Sequence, residues 1–168
     1  MNFVLYPAIF ATLGSVAYQD FKSREVWIWF FVFFLIESVI FVGRIIPFKS
    51  LLLFTGINLC IIAFQFFTLT AFFSLKNKGL TNIINKYIGI GDLVFFVIMA
   101  LWFSPFNFSC FMLASFIAGL LSVVFVKRNN IPLAGVMSIV LAFVLIVQTI
   151  TKGNLYNDYF VINLLGLR

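Results

Sequence analysis

The sequence contains no histidine, which removes the commonest metal ligand and the commonest general base together. It holds two cysteines, Cys60 and Cys110, each inside an apolar run. They match no zinc spacing, and nothing in the sequence supports pairing them in a disulfide. Charge is also scarce: 10% of the 168 residues are Asp, Glu, Lys or Arg, where a soluble domain carries about a quarter. Acids are the scarcest, five against eleven basic residues. These shortages point away from zinc chemistry, from histidine-based catalysis and from a soluble fold.

What fills the chain is apolar. Hydrophobic residues make up 64% of it, with 25 Phe and a mean hydropathy of +1.17. This is the composition of an integral membrane protein. At about 20 residues per span, the length allows about six helices and leaves no room for a soluble domain beside them. The expected fold is therefore an all-α membrane protein, a single domain over residues 1–168 built as a bundle of about six transmembrane helices. The net charge of +6 raises the question of nucleic acid. The basic residues sit in short loops between apolar runs, so they report topology and contact with anionic lipid instead.

Apolar runs predict helices over residues 3–18, 26–43, 51–73, 92–104, 108–126 and 132–150. Residues 19–25 form the densest charge cluster, and Trp27 and Trp29 behind it fit an interfacial belt. Residues 74–86 mix Lys76, Lys78 and Lys86 with apolar side chains and read as an interfacial segment. Residues 151–168 read as a tail lying along the membrane. No Lys or Arg precedes the first apolar run, and Lys22 and Arg24 follow it. That order favours a retained first helix with the N-terminus outside. On this topology Lys22, Arg24, Lys76, Lys78, Lys86, Lys127 and Arg128 face the cytoplasm, and Arg44, Lys49, Lys152 and Arg168 face outward. The bias agrees with the positive-inside rule. It also puts Asp20 and Asp92 on one, cytoplasmic, side.

Asp92 closes the sequence Gly89-Ile90-Gly91-Asp92 at the mouth of an apolar run. The glycines permit a turn or a close backbone approach that larger residues prevent. From Asp92 to Ser104 is 12 steps, roughly 18 Å of helix, against a hydrocarbon core of about 30 Å. Either the helix continues past Pro105 or Asp92 lies below the membrane surface, where lipid cannot solvate it. Two carboxylates that share one proton form a hydrolytic device: the ionised one takes a proton from water, and the protonated one polarises the scissile carbonyl. Asp20 is the candidate partner. Taken singly, Asp92 also suits a helix cap, and Asp20 also suits a loop pair with Lys22 or Arg24. Glu25 reads as a solvated partner of its basic neighbours. Glu37 lies within the second predicted helix, where a hydrogen bond to Asn58 on the third is expected. Ala114, Ser115, Ala118, Gly119 and Ser122 suit close helix packing. Gln65 and Thr68 read as packing residues, and the Phe content as lipid-facing bulk.

Three segments together resemble the type IV prepilin peptidase family, which includes the preflagellin peptidases. They are Asp20-Phe21-Lys22-Ser23-Arg24-Glu25-Val26, the Gly89-x-Gly91-Asp92 motif, and Lys127 to Gly135 with its Ile131-Pro132 helix entry. The family consists of membrane aspartyl proteases. The resemblance implies that Asp20 and Asp92 are the catalytic pair, with Gly89, Gly91, Lys22, Arg24 and Pro132 as motif or supporting positions. It implies no cofactor, no metal and no nucleic acid. The implied substrates are type IV pilin-like precursors whose short basic leader is cut at the cytoplasmic membrane. Val94 and Trp27 stand where many members carry Lys and Pro. The chain resembles the short, protease-only form. A small carrier that binds protons or cations through the two aspartates is the alternative, and it expects an internal repeat with interrupted helices in both halves.

Overall fold

A computed structural model of the chain describes residues 2–79, 89–126, 132–158, 160 and 162. The described residues form six helices and no strand: α1 (Asn2–Ser23), α2 (Ile28–Val42), α3 (Phe48–Lys76), α4 (Ile90–Met99), α5 (Pro105–Val126) and α6 (Leu133–Thr151). Of these, α3, α6 and the stretch Pro105–Ser122 of α5 are long and apolar enough to cross a membrane. Lys86, Lys127, Arg128, Ile131 and Arg168, and most of the predicted interfacial segment, lie outside the described residues.

The first helix is longer than the sequence predicts. It continues through Asp20, Phe21 and Lys22 to Ser23, so the charge cluster is its last turn rather than a loop. It ends where Arg24 adopts a left-handed conformation, φ 62°, and returns its N–H to the Asp20 carbonyl, 3.2 Å. A left-handed residue just past the last turn is a common way to stop a helix. The consequence is functional. Asp20 belongs to a fixed helical surface, 6% exposed, instead of a solvated loop.

The core lies mainly between α1, α2, α4, α5 and α6, and α3 adds Leu51 and Ile62 to it. Ile9, Leu13 and Val16 of α1 and Met137, Leu141 and Leu145 of α6 are buried in one apolar cluster at helical spacing. Phe34 of α2 stacks on Phe95 of α4 at 5.4 Å and on Trp102 at 5.9 Å. Trp102 also stacks on Phe41, 5.0 Å between centroids. The aromatic content therefore divides. One set, including these rings with Phe96, Phe103 and Phe108, forms the core, while Phe64, Phe67 and Phe72 on α3 project outward. An exposed apolar face suits lipid. Ser115 and Gly119 of α5 are buried one turn apart where α5 packs on α6, as small residues at helix contacts do.

The fourth predicted helix does not continue past Pro105. It stops at Met99, and residues 100–104 form a buried turn before α5 begins. Ten residues span about 15 Å, too little to cross the hydrocarbon. Part of the missing length is taken up at the end remote from Asp92. There, residues 153–158 fold back over the turn, with Phe160 buried beyond them. Ser104 N–H donates to the Leu155 carbonyl at 3.3 Å. Asn107 donates to the carbonyls of Leu155 and Asn157 at 2.7 and 2.8 Å. The Tyr156 hydroxyl donates to the Leu101 carbonyl. Leu155, Tyr156 and Phe160 are buried, so this described part of the tail packs into the bundle rather than lying along its surface. The first half shows no matching interruption: α1, α2 and α3 are each continuous.

Candidate active site

Asp20 ends α1 and Asp92 begins α4, and both meet the first turn of α6. The Asp20 Oδ2 accepts the Gly135 N–H at 2.6 Å. The Asp92 Oδ1 accepts the Ala134 N–H at 2.8 Å. Ala134 and Gly135 are consecutive, and the first four N–H groups of a helix have no partner within it. The positive end of the helix dipole favours anions at this place. Two carboxylates far apart in sequence are thus gathered on adjacent amides of one helix. They are close enough to interact electrostatically, and Arg24 acts on both.

Local chemistry explains each contact. Pro132 is the N-cap of α6, is buried, and accepts the Val136 N–H at 2.9 Å. Proline lacks an N–H and so suits a helix entry, where that donor would be orphaned anyway. Gly135 leaves a tight fit for a side chain: a Cβ would stand 3.1 Å from Asp20 Oδ2 and 3.1 Å from the Phe21 ring. Without it the α1 carboxylate reaches the α6 backbone at 2.6 Å unhindered.

The glycines of the Gly89-x-Gly91-Asp92 motif have different work. Gly89 precedes α4 with φ −70° and donates its N–H to Asp92 Oδ2 at 3.3 Å. This is the acidic half of a capping box. A Cβ on Gly89 would meet that oxygen at 3.2 Å. Gly91 faces α2, where a Cβ would touch Phe31 at 3.5 Å, an ordinary contact. Neither glycine faces α1. The close approach that joins the two acids is made at Gly135.

Lys22 and Arg24 separate in role. Lys22 is exposed and turns back along α1, with Nζ 3.3 Å from the Tyr18 hydroxyl and 5.3 Å from its ring centroid. Arg24 is the cation that both carboxylates feel. Gln19 accepts the Trp27 N–H at 3.0 Å and ties the chain across the α1–α2 corner.

Glu37 stands away from this cluster. Its Oε1 accepts the Thr12 hydroxyl at 3.1 Å, and Thr12 precedes Asp20 by eight residues, about 12 Å of helix. The expected pairing of Glu37 with Asn58 does not occur, because Asn58 serves other carbonyls. Its amide donates to Ala100 and Phe103, 2.9 Å each, the carbonyls of the α4 C-cap and of the turn that follows it. Thr68 is exposed and bonds back to Phe64 at 2.9 Å, and Gln65 is half-buried. Among the described residues no group of His, Cys, Asp or Glu is arranged to hold a metal ion.

Sequence reasoning missed the two amide donors of α6, since backbone groups carry no sequence signal of their own. The traceable signal was Pro132 followed three residues later by Gly135. Comparison with family models, with curated proteins and with solved structures finds no match to this chain.

Proposed function

We propose that the protein is a membrane-embedded aspartic endopeptidase of the prepilin leader peptidase type, with Asp20 and Asp92 as the acids that activate water. One observation carries this reading: the two acids converge on neighbouring amides of α6. The contacts account for one oxygen of Asp20 and for both of Asp92, the latter through a longer bond to Gly89. Oxygens at the edge of such a pair can hold a water between them. One carboxylate then acts as base toward that water while the protonated partner donates to the substrate carbonyl. The α6 amides and Arg24 hold the negative charge of the pair in place without a cofactor.

On this reading the bundle spans the membrane, with α4 continued by the turn that follows it because it is too short to cross alone, the aspartate end cytoplasmic, the N-terminus outside and the protein in the cytoplasmic membrane. The loop charges of the sequence, seven basic residues on the side predicted cytoplasmic against four on the other, support the orientation. The substrate is a type IV pilin-like precursor. Its basic leader is cut where it emerges ahead of an apolar helix.

The test must separate catalysis from simple capping of α6. Asp20→Asn keeps an oxygen for the Gly135 amide, and Asp92→Asn keeps one for the Ala134 amide while giving up the longer bond to Gly89, so the capping of α6 survives in both. Co-expression with a pilin-like precursor is expected to show folded variants whose cleavage falls by roughly 10²–10⁴-fold. Full processing by either variant overturns the mechanism.

A further inference from the structure

At the end of the molecule remote from the aspartates is a cavity of about 300 Å³, lined by Tyr6, Phe41, Arg44, Ile45, Gln148, Gly153 and Asn154. It lies where α1 begins and where α2 and α6 end. Its chemistry is one-sided. It contains one cation, Arg44, and no carboxylate. Gln148 brings an amide from α6 although the residue is only 8% exposed, and its Oε1 finds no hydrogen-bond partner. A buried carbonyl oxygen left without a donor costs free energy, so Gln148 Oε1 calls for a ligand that brings a hydroxyl or N–H to it. Asn154 accepts the Tyr156 N–H through Oδ1 at 3.0 Å, which leaves its Nδ2 as a donor. Tyr6 and Phe41, packed edge to face at 5.3 Å, form an aromatic wall.

We propose that this cavity binds the headgroup of an anionic, hydroxyl-bearing phospholipid, with Arg44 as counter-ion and the Asn154 amide as donor to the phosphate, and with Gln148 Oε1 accepting a headgroup hydroxyl. A guanidinium with the Asn154 amide beside it matches a phosphate diester, since charge-assisted bonds to phosphate are stronger than neutral ones, and a headgroup hydroxyl supplies the donor that Gln148 Oε1 lacks. Two observations favour lipid over free phosphate. The cavity is partly open, and the helices that form it expose apolar side chains on the way inward, Ile36, Val39 and Ile40 on α2 and Ile146 and Ile150 on α6. Acyl chains lie against such surfaces while the headgroup stays at the rim. This site depends on the protein lying in a membrane and is independent of the protease reading.

The experiment follows thermal unfolding of the full chain in neutral detergent micelles during titration with phosphatidylglycerol, phosphatidylcholine or inorganic phosphate. The expected result is a saturable rise in Tm with phosphatidylglycerol alone. Arg44→Gln is expected to weaken the apparent affinity at least about fivefold, the contribution of one cation at a membrane surface. Asn154→Leu weakens it as well, and Lys49→Gln, outside the cavity at the same end, leaves it unchanged. An equal rise with phosphatidylcholine or with phosphate overturns the proposal. So does an Arg44→Gln protein that titrates like wild type.

Discussion

Gly135 is the residue on which the pair of acids depends most directly. A Cβ there would crowd Asp20 Oδ2 and the Phe21 ring at 3.1 Å, so one of them must shift. Gly135→Ala is expected to push the Asp20 carboxylate off its amide while leaving the apolar core of α1 and α6 in contact. A displacement of this kind at a catalytic group costs on the order of 10²-fold in rate, so leader cleavage falls with little change in Tm. Cleavage assays beside thermal unfolding separate the two effects. Proton sharing makes a second residue-scale prediction. A pair that works with one proton between two acids loses activity when both are protonated and again when both are ionised. Cleavage against pH is therefore expected to be bell-shaped in reconstituted membranes, and a profile that rises to a plateau argues for a single working carboxylate. At this scale the acids were legible in the sequence, because charge in an apolar chain is costly and therefore conspicuous. Their amide partners were not.

At the scale of elements, the short helix α4 is the unusual part. It presents Asp92 at one end. At the other, Asn58 bonds the carbonyls of its C-cap and of the turn that follows, and the Trp102 indole N–H donates to the Ser38 hydroxyl at 2.8 Å. Asn58 is fully buried, so Asn58→Leu removes both donors where water cannot replace them. The expected cost is about 1–3 kcal/mol for each buried group left unpaired, read as a lower midpoint in denaturant or heat. Cleavage falls with it, because α4 carries Asp92. The sequence located the break at Ser104-Pro105 but assigned Asn58 to Glu37. Depth along two helices is shared by many residues, and which of them face each other depends on the rotation of each helix about its axis, which an almost uniformly apolar surface does not reveal.

At the scale of the whole molecule, the two ends do different things. One gathers Asp20, Arg24, Asp92 and the start of α6. The other is closed by the returning residues 153–158, held to α5 by Asn107. Asn107→Ala strips two carbonyls of their donor, and faster hydrogen exchange over residues 154–157 is the expected result. Unchanged exchange there shows that burial of Leu155 and Tyr156 alone holds the segment. Labelling of single cysteines from either side of intact cells tests the topology: positions near Arg44 and Lys152 are expected to react together, and positions near Arg24 and Lys76 from the opposite side.

The sequence by itself determined that the chain is helical and apolar, where most helices begin and end, and which two acids to watch. Those properties are local: they follow from composition, run length and the cost of isolated charge. Only the tertiary structure decided that Asp20 is helical rather than in a loop, that α6 supplies the amides joining the two acids, that Gly135 rather than Gly89 or Gly91 permits the close approach, and that the tail returns to cover α4. Each of these depends on backbone groups and on the rotational setting of one helix against another, and both arise only when the helices pack.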